Sequence, residues 1–225
     1  MNRVVVVTGG VKGIGKAVAD RFADDRVEAV GHDQLDVTEE NAVAAFFESV
    51  GPVDVLVNNA GFAEGAPLTR TTLESWRRHF DVNATGAFLC TRAVLPGMLE
   101  RGTGRIVTVA STAGLRGARY TAAYTAAKHA AIGLMRATAA EVAGTGITAN
   151  AVCPGWVRTA MMERAVERIV ATTDRDEERA EAALVAQMPL GRALEPEEVA
   201  DAVWFLASPG AATINGQAIV LDGGG

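Results

Sequence analysis

Residues 4–22 read VVVVTGGVKGIGKAVADRF, a run of β-branched residues joined to a helix-forming segment by a turn rich in glycine. A turn of this kind binds phosphate, because glycine lets the backbone approach the anion and the helix N-terminus offers unpaired N–H groups. The sequence therefore predicts contacts to the pyrophosphate of a dinucleotide from Gly9, Lys12, Gly13, Ile14 and Gly15. Glycines that only turn the chain are the alternative.

Strand-like and helix-like segments alternate through the rest of the chain. Several of the strand-like runs are apolar throughout, as expected of strands covered on both faces. The predicted strands are Val4–Val7, Val27–Gly31, Val53–Asn58, Arg105–Ala110, Thr148–Val152 and Gln217–Leu221, and the predicted helices are Gly15–Asp24, Glu39–Ser49, Leu73–Arg101, Ala122–Ala143 and Pro196–Ala207. This alternation predicts one α/β domain over residues 1–225, a Rossmann-like doubly wound parallel sheet with helices on both faces.

The connection after the second predicted strand is unusually short. Val27–Gly31 is followed within a few residues by Leu35–Thr38, which we expect to cap a helix starting near Glu39. A parallel crossover needs at least ~10–12 residues, so no further helix and strand fit here, and the chain must turn at His32–Gln34.

Asp33 ends this second strand, where an acidic residue binds the adenosine ribose of NAD and repels the 2′-phosphate of NADP. We therefore expect NAD as the cofactor. A solvated turn aspartate is the alternative, and the nearby Lys12 and His32 leave NADP open.

Composition excludes several classes of protein. A chain of 225 residues with 49% apolar residues and a mean hydropathy of +0.16 can form a sizeable core. The net charge of −6 argues against nucleic acid and anionic membranes as partners, since phosphates would be repelled. No apolar run reaches the ~20 residues of a membrane span, and the N-terminus does not resemble a signal peptide. Cys90 and Cys153 lack the spacing of a metal site, so we expect two reduced thiols, no metal and a cytoplasmic location.

Tyr124 and Lys128 stand one helical turn apart and therefore share a helix face. A neighbouring ammonium favours the phenolate, and a pKa brought nearer 7 makes the phenol a usable acid or base. Ser111 follows a strand at the carboxyl edge of the sheet, where it can donate to a substrate oxygen. As alternatives, Tyr124 and Lys128 could be a surface pair, Ser111 a helix cap, and Asn83 a turn residue after the strand-like Asp81-Val82.

Six motifs in order resemble the short-chain dehydrogenase/reductase family over essentially the whole chain. They are Thr8–Gly15, Asn58-Asn59-Ala60-Gly61, Asn83-Ala84-Thr85-Gly86, Ser111, Tyr124-Thr125-Ala126-Ala127-Lys128 and Pro154-Gly155-Trp156-Val157-Arg158-Thr159. The resemblance implies an NAD(P)-dependent oxidoreductase in which Tyr124 donates the proton in reduction and Ser111 polarises the carbonyl. Lys128 would bind the nicotinamide ribose and tune Tyr124, and Asn83 would help a water relay to Lys128.

The same resemblance implies further cofactor contacts. Asp36 and Val37 would flank the adenine, and Asn59, Ala60 and Gly61 would line the adenosine ribose and pyrophosphate region. Pro154, Gly155, Val157 and Thr159 would close over the nicotinamide. Most relatives carry a helix and an edge strand where this chain has only His32–Gln34, so we expect a sheet one strand short on that edge.

The substrate is expected under a lid of about residues 156–195. Pocket candidates are Leu115, Trp156, Met161 and Met162, although core packing explains both methionines equally well. Residues 98–107, 150–155 and 189–192 resemble 3-oxoacyl and polyketide ketoreductases and 3-hydroxybutyrate dehydrogenases, which favours a β-keto or β-hydroxy acyl substrate.

Other functions remain open. The chain could oxidise another small or cyclic alcohol, or bind a dinucleotide without turnover as a sensor or scaffold. Enoyl reductases space tyrosine and lysine more widely, and the position of their tyrosine is Thr121 here. By resemblance, the two long predicted helices pair between subunits and Gln217–Leu221 lies at a second interface, so we expect a homotetramer, with a dimer as the alternative.

Overall fold

The structure, a computed structural model, describes residues 3–224. A parallel sheet of six strands, in the order β2-β1-β3-β4-β5-β6, runs through it with helices on both faces. The strands are β1 Val4–Thr8, β2 Arg26–Val30, β3 Val55–Asn58, β4 Gly104–Val109, β5 Ile147–Pro154 and β6 Ala218–Leu221. The helices are α1 Gly13–Arg21, α2 Glu40–Val50, α3 Leu73–Phe80, α4 Gly86–Arg101, α5 Ala122–Glu141, α6 Ala160–Thr172, α7 Glu177–Val185 and α8 Pro196–Leu206.

Both faces of the sheet are packed, which explains the continuous apolar runs. Successive side chains of a strand point to opposite faces. Val6 and Leu56 accordingly belong to one buried cluster, whereas Val5, Val7 and Val55 belong to the other. All six predicted strands are confirmed, and their bounds differ from the prediction by one or two residues.

The sheet has the expected short edge. In the described part of the chain β2 is the outermost strand beside β1. The chain turns at His32–Gln34, where the Gly31 N–H donates to Gln34 Oε1 at 2.8 Å. The prediction that Leu35–Thr38 caps the next helix was wrong. Asp36 Oδ1 instead accepts from the Thr38 N–H and hydroxyl, and Glu39 is the N-cap residue of α2 without a side-chain cap.

The predicted helix Leu73–Arg101 is two helices. A π-helical turn, Asp81–Thr85, joins α3 to α4, and Asn83 lies in its middle. The strand-like character assigned to Asp81-Val82 was therefore wrong. Single π-helical turns inserted between α-helical segments are frequent at functional sites.

The segment expected to form the lid contains α6 and α7. The two helices share a small apolar cluster of their own, whose buried members are Met162, Leu184 and Ala193. Met162 is therefore a packing residue, as one of its two interpretations held, whereas Met161 on the same helix is partly exposed.

Candidate active site

The turn after β1 is built to receive an anion. A Cβ on Gly15 would lie 2.1 Å from Gly9 O, and Gly13 adopts a φ of +52° that favours glycine. Lys12, the N-cap residue of α1, provides no side-chain hydrogen bond to the first turn. The N–H groups at this helix N-terminus therefore remain available to a phosphate, together with the positive end of the helix dipole. The predicted glycine residues fit a pyrophosphate.

A second loop, Asn59–Gly61 after β3, is tied to this turn. Thr8 Oγ1 accepts from the Asn59 and Ala60 N–H groups, each at 3.0 Å. Asn59 Nδ2 donates to Thr8 O at 2.9 Å and to Gly9 O at 3.1 Å. The two loops form one rigid edge of the cleft. The role of the Thr8 hydroxyl is a structural detail that the sequence pattern did not reveal.

The loop after β2 presents two carboxylates, those of Asp33 and Asp36. Asp33 is exposed in the turn, so its carboxylate is accessible to a ribose hydroxyl. Asp36 accepts from the Thr38 backbone N–H, and this hydrogen bond holds the pKa of Asp36 below its ordinary value. Its other oxygen lies 3.9 Å from His32 Nδ1. Val37 is buried against Gly86, where a Cβ would meet its side chain at 2.7 Å.

Tyr124, Lys128 and Ser111 meet at the carboxyl edge of the sheet. The Lys128 ammonium group is buried, donates to Val109 O at 2.9 Å, and lies 5.8 Å from the centroid of the Tyr124 ring. Ser111 follows β4, and its side chain is hydrogen-bonded to that of Tyr124. Ser111 Oγ also accepts from the Ala113 N–H at 3.1 Å, so the serine is a cap as well as a neighbour of the phenol.

Burial controls the ionisation of this group. It raises the pKa of Tyr124, although the hydrogen bond with Ser111 acts in the opposite direction. It also lowers the pKa of Lys128 to about 8, since an ammonium loses its hydration there. The expectation that Lys128 brings the pKa of Tyr124 toward neutrality is therefore wrong for the protein without cofactor. Here the phenol is held in its protonated form.

Asn83 is buried, and its side chain is already occupied. Its Nδ2 donates to Phe62 O at 2.8 Å and to His79 O at 2.9 Å, and its Oδ1 accepts from the Phe62 N–H at 3.2 Å. A Cβ on Gly61 would lie 3.3 Å from this Oδ1 and 3.7 Å from Lys128 Nζ. The structure thus brings Asn83, Gly61 and Lys128 together. The Asn83 amide holds the backbone of Phe62 in place through two hydrogen bonds.

Two residues beside the site were missed by sequence reasoning. His79 is fully buried, and its ring centroid lies 6.3 Å from that of Tyr124. Its Nδ1 contacts Ser75 O at 2.7 Å, and its Nε2 accepts from the Glu64 N–H at 3.0 Å. These partners fix a neutral imidazole protonated on Nδ1. Cys153 is buried close to Lys128 and to the Ser111 backbone, and burial raises its pKa to about 11. Only the i, i+4 spacing of His79 and Asn83 hinted at the former.

The loop after β5 closes the cleft from the other side. Gly155 N–H donates to Leu221 O at 3.0 Å, and Val157 forms an isolated parallel bridge with Leu194. Thr159 faces the phosphate turn, because a Cβ on Gly13 would lie 3.2 Å from its methyl group. The predicted contacts Pro154–Thr159 therefore lie at the same edge as the glycine turn.

The segment expected to form the lid is attached to the loop that follows β3. Arg168 of α6 donates to Gly65 O, and its guanidinium lies 3.9 Å from the Glu64 carboxylate. The Ala66 N–H donates to Tyr120 O at 2.7 Å. Tyr120 is the one non-glycine residue with positive φ within residues 3–224. The helix α6, the loop after β3 and the segment before α5 are therefore linked to one another.

Two features are absent from the described residues, a metal-binding cluster and a membrane-spanning helix. No group of three or more His, Cys, Asp or Glu side chains is placed to hold a metal ion between residues 3 and 224. Among the helices of that range, none combines the length and apolarity needed to cross a bilayer.

Comparison with known proteins places the chain among reductases. Residues 6–225 match the family model described as enoyl-(acyl carrier protein) reductase. An acetoacetyl-CoA reductase of Rhizobium meliloti is 38% identical, and the alignment covers 100% of this chain and 98% of the relative. That alignment runs over 247 positions against 225 residues here, so at least 22 positions (247 − 225) fall opposite gaps in this chain.

Two further matches bear on activity. A Xanthobacter autotrophicus protein named inactive 2-(S)-hydroxypropyl-CoM dehydrogenase 2 is 45% identical over 92% of this chain and 90% of its own. Among solved structures, a variant of actinorhodin polyketide ketoreductase with NADPH superposes with a TM-score of 0.91 at 37% identity, covering 99% of this chain and 97% of that chain.

Proposed function

Since this chain belongs to the short-chain dehydrogenase/reductase family and is an NAD(P)-dependent oxidoreductase acting on a ketone or secondary alcohol, we propose that it interconverts a β-ketoacyl compound and the β-hydroxyacyl alcohol. The names of two relatives support this choice, one being an acetoacetyl-CoA reductase and the other a polyketide ketoreductase. The chemistry needs a proton donor, an oxygen-polarising group and a dinucleotide site at one edge of the sheet.

One observation carries the proposal. Tyr124, Ser111 and the buried Lys128 converge where the glycine turn of β1 and the Asn59–Gly61 loop also end. A bound nicotinamide dinucleotide would supply or accept the hydride. Gly9, Lys12, Gly13, Ile14 and Gly15 would hold its pyrophosphate, with Asn59, Ala60 and Gly61 beside them. Pro154, Gly155, Val157 and Thr159 would hold its nicotinamide end.

The protonation state of Tyr124 suits the direction of reduction. Burial keeps the pKa of the phenol above its ordinary value, so at neutral pH the residue carries the proton that a developing alkoxide takes up. Ser111 would donate a second hydrogen bond to the same oxygen as charge develops on it. Lys128 would support the phenolate that remains and hold the nicotinamide ribose.

Enoyl reduction is less consistent with the chain, although the matching family model bears that description. A tyrosine spaced more widely from Lys128 would stand at position 121, which is Thr121 here. Its hydroxyl donates to Ala118 O at 2.9 Å and pairs with the Thr125 hydroxyl at 3.0 Å, so it is engaged in local hydrogen bonds at the start of α5.

The first test is Tyr124→Phe. Removing the hydroxyl takes away the proton donor, and we expect kcat to fall by about 10²–10⁴-fold for acetoacetyl-CoA reduction. Cofactor affinity, measured by fluorescence titration, should stay within about twofold. Tyr120→Phe is the matched control, because that tyrosine lies four residues earlier and is exposed. Undiminished turnover in Tyr124→Phe would contradict the assignment.

The cofactor preference is the second test. We propose NAD, because the exposed Asp33 carboxylate can accept from ribose hydroxyls and repels a 2′-phosphate; the NADPH in the actinorhodin ketoreductase structure makes NADP the rival. Asp33→Ala should lower the NADH/NADPH ratio of kcat/KM by about tenfold, the effect of ~1.4 kcal/mol. Asp24→Ala removes a similar exposed charge beyond the other end of β2 and serves as control. An unchanged ratio would show that Asp33 only forms the turn.

A second candidate function is dinucleotide binding without turnover, favoured by the relative whose name calls it inactive. A panel of acetoacetyl-CoA, ethyl acetoacetate, small cyclic ketones and sugars distinguishes the two. Binding of NADH or NADPH with no oxidation across the panel supports a sensor, whereas activity confined to cyclic ketones supports the alternative of a cyclic alcohol dehydrogenase.

Two further proposals concern the cellular compartment and the segment that covers the substrate. The free, buried Cys90 and Cys153 agree with a reducing compartment such as the cytoplasm. We also propose a lid over about residues 156–195 with Leu115, Trp156 and Met161 near the substrate, because all three are at least partly accessible near the cleft mouth.

A further inference from the structure

A small polar cavity lies behind the catalytic group. It has a volume of about 10 Å³, close to the room that one water molecule requires. Its polar lining comes from Thr8, Asn58, Asn83, Thr108 and Lys128. Cavities of this size and polarity in proteins hold ordered water, which bonds to groups that have no other partner.

Asn58 has such a group. This residue ends β3 and is 5% exposed; its Nδ2 donates to Thr91 Oγ1 at 3.0 Å. Its Oδ1 is buried and has no hydrogen-bond partner among residues 3–224. Leaving a buried amide oxygen unpaired is destabilising, and a water in the adjoining cavity would avoid that cost.

Lys128 has the complementary need. A buried ammonium has three donors, and one donor of Lys128 is hydrogen-bonded to Val109 O. By the proposed function a second N–H holds the nicotinamide ribose. The Asn83 side chain is not hydrogen-bonded to Lys128: its Nδ2 protons go to Phe62 O and His79 O, and its Oδ1 accepts from the Phe62 N–H. Lys128 lines the cavity, and within residues 3–224 its Nζ is hydrogen-bonded only to Val109 O.

We propose that Asn58 is a positioning residue, which holds a water that accepts the remaining N–H of Lys128 and donates to Asn58 Oδ1. This inference rests on the proposed role of Lys128. It gives Asn58, the first asparagine of the Asn58–Gly61 motif, a role that neither the motif nor the comparisons assign to it. The water stabilises the ammonium form of Lys128. Asn58 thereby sets the pH range in which Lys128 can support the Tyr124 phenolate.

The titratable groups around Lys128 bear on the test. Tyr124 lies on the same helix, the Cys153 thiol faces Lys128 from β5, and His79 of α3 stands behind Tyr124. Burial lowers the pKa of Lys128 to about 8, within reach of a pH profile of reduction. None of these three groups is altered by a change at Asn58.

The experiment compares Asn58→Leu with Thr91→Val. Asn58→Leu keeps the shape and removes the acceptor oxygen, whereas Thr91→Val leaves Oδ1 in place and breaks the hydrogen bond on the far side of the amide. In the cofactor-bound wild-type crystal at 1.5 Å or better, we expect a water within hydrogen-bond distance of Asn58 Oδ1 and Lys128 Nζ. It should persist in Thr91→Val and vanish in Asn58→Leu.

In the pH profile of kcat/KM for acetoacetyl-CoA reduction, Asn58→Leu should lower the alkaline pKa by about one unit, the effect of losing one hydrogen bond to a charged group. Thr91→Val should leave it unmoved. Asn58→Asp keeps an acceptor oxygen and can still pair with the Thr91 hydroxyl, so the alkaline pKa should not decrease in this variant. Asn58→Asp therefore provides a second test if Asn58→Leu does not fold. An absent water in the wild type, or equal shifts in both variants, would overturn the proposal. If the protein reduces no ketone, the pH profile cannot be measured, and the presence or absence of the water in the crystal structures decides the proposal.

Discussion

At the scale of single residues, burial rather than charge pairing determines the protonation of Tyr124 and Lys128. Lys128 was expected to draw the proton off Tyr124, yet both residues are drawn toward their neutral forms, which raises one pKa and lowers the other. Sequence spacing could place the two groups on one helix face. It could not reveal how much water surrounds them, because desolvation depends on Val109, Cys153 and His79, which come from distant parts of the chain.

This residue-scale effect gives a prediction for stability against pH. The pKa of Lys128 is about 8 in the folded protein against an ordinary 10.5, so the unfolded chain binds more protons between those values. The lysine therefore costs stability below pH 8, and that cost is relieved as pH rises from 8 to 10.5. Relative to Lys128→Met, wild-type stability in urea should rise by about 3 kcal/mol over this window.

The control for this measurement is Lys16→Met. Lys16 is exposed on α1 and pairs with Asp20, so the difference from wild type should stay nearly flat over the same range. Titration of Cys153, whose pKa burial raises to about 11, destabilises wild type and Lys16→Met alike at the upper end, whereas Lys128→Met also removes a charge that acts on this thiol. A flat difference for Lys128→Met would mean that its ammonium is hydrated in the folded state.

At the scale of elements, the hydrophobic pattern predicted strands well and the break between α3 and α4 poorly. A π-helical turn such as Asp81–Thr85 differs from α-helix by less than one residue per turn, and over five residues the apolar period does not register that difference. No glycine or proline interrupts residues 81–85, so nothing in the sequence ended the helix there. The sequence partly predicted the helices of the lid segment, because Met162, Val166 and Ile169 have helical spacing.

The lid is the element that we expect to open most readily. Its own cluster has three buried members in the described chain, whereas Val157, Met188 and Leu194 near its ends pack in one of the two main clusters. Arg168 adds polar contacts to the loop after β3. Arg168→Met should remove the contact with Gly65 and Glu64, worth about 0.2–1 kcal/mol for an exposed pair. Amide hydrogen exchange in α6 should then be up to about fivefold faster, while β1, β3 and β4 remain protected.

Arg164→Met provides the comparison for the lid, since Arg164 is an exposed arginine on the same helix. Faster exchange in both variants alike would point to a loss of helix propensity or solubility. Unchanged exchange in Arg168→Met would show that the apolar cluster alone holds the lid.

At the scale of the whole molecule, apolar side chains on two faces favour assembly. Phe88 and Leu99 of α4 are exposed, as are Phe205 of α8 and Val220 of β6. Exposed apolar groups clustered on such faces mark interfaces. Light scattering should give about four times 23.4 kDa, and Phe205→Glu should reduce this to a dimer by breaking one of two interfaces. Leu68→Glu, at an exposed site away from both faces, should leave the mass unchanged, and a wild-type mass near 23.4 kDa would refute any assembly.

The strand missing from the sheet has a mechanical consequence. A sheet frays from its rim inward, and an additional outer strand would be lost first without harm. Here the rim is β2, which pairs directly with β1 along Val4–Thr8, and β1 leads straight into the glycine turn. Fraying of this one strand therefore reaches the glycine turn at once, because no further strand lies outside β2 in the described part of the chain.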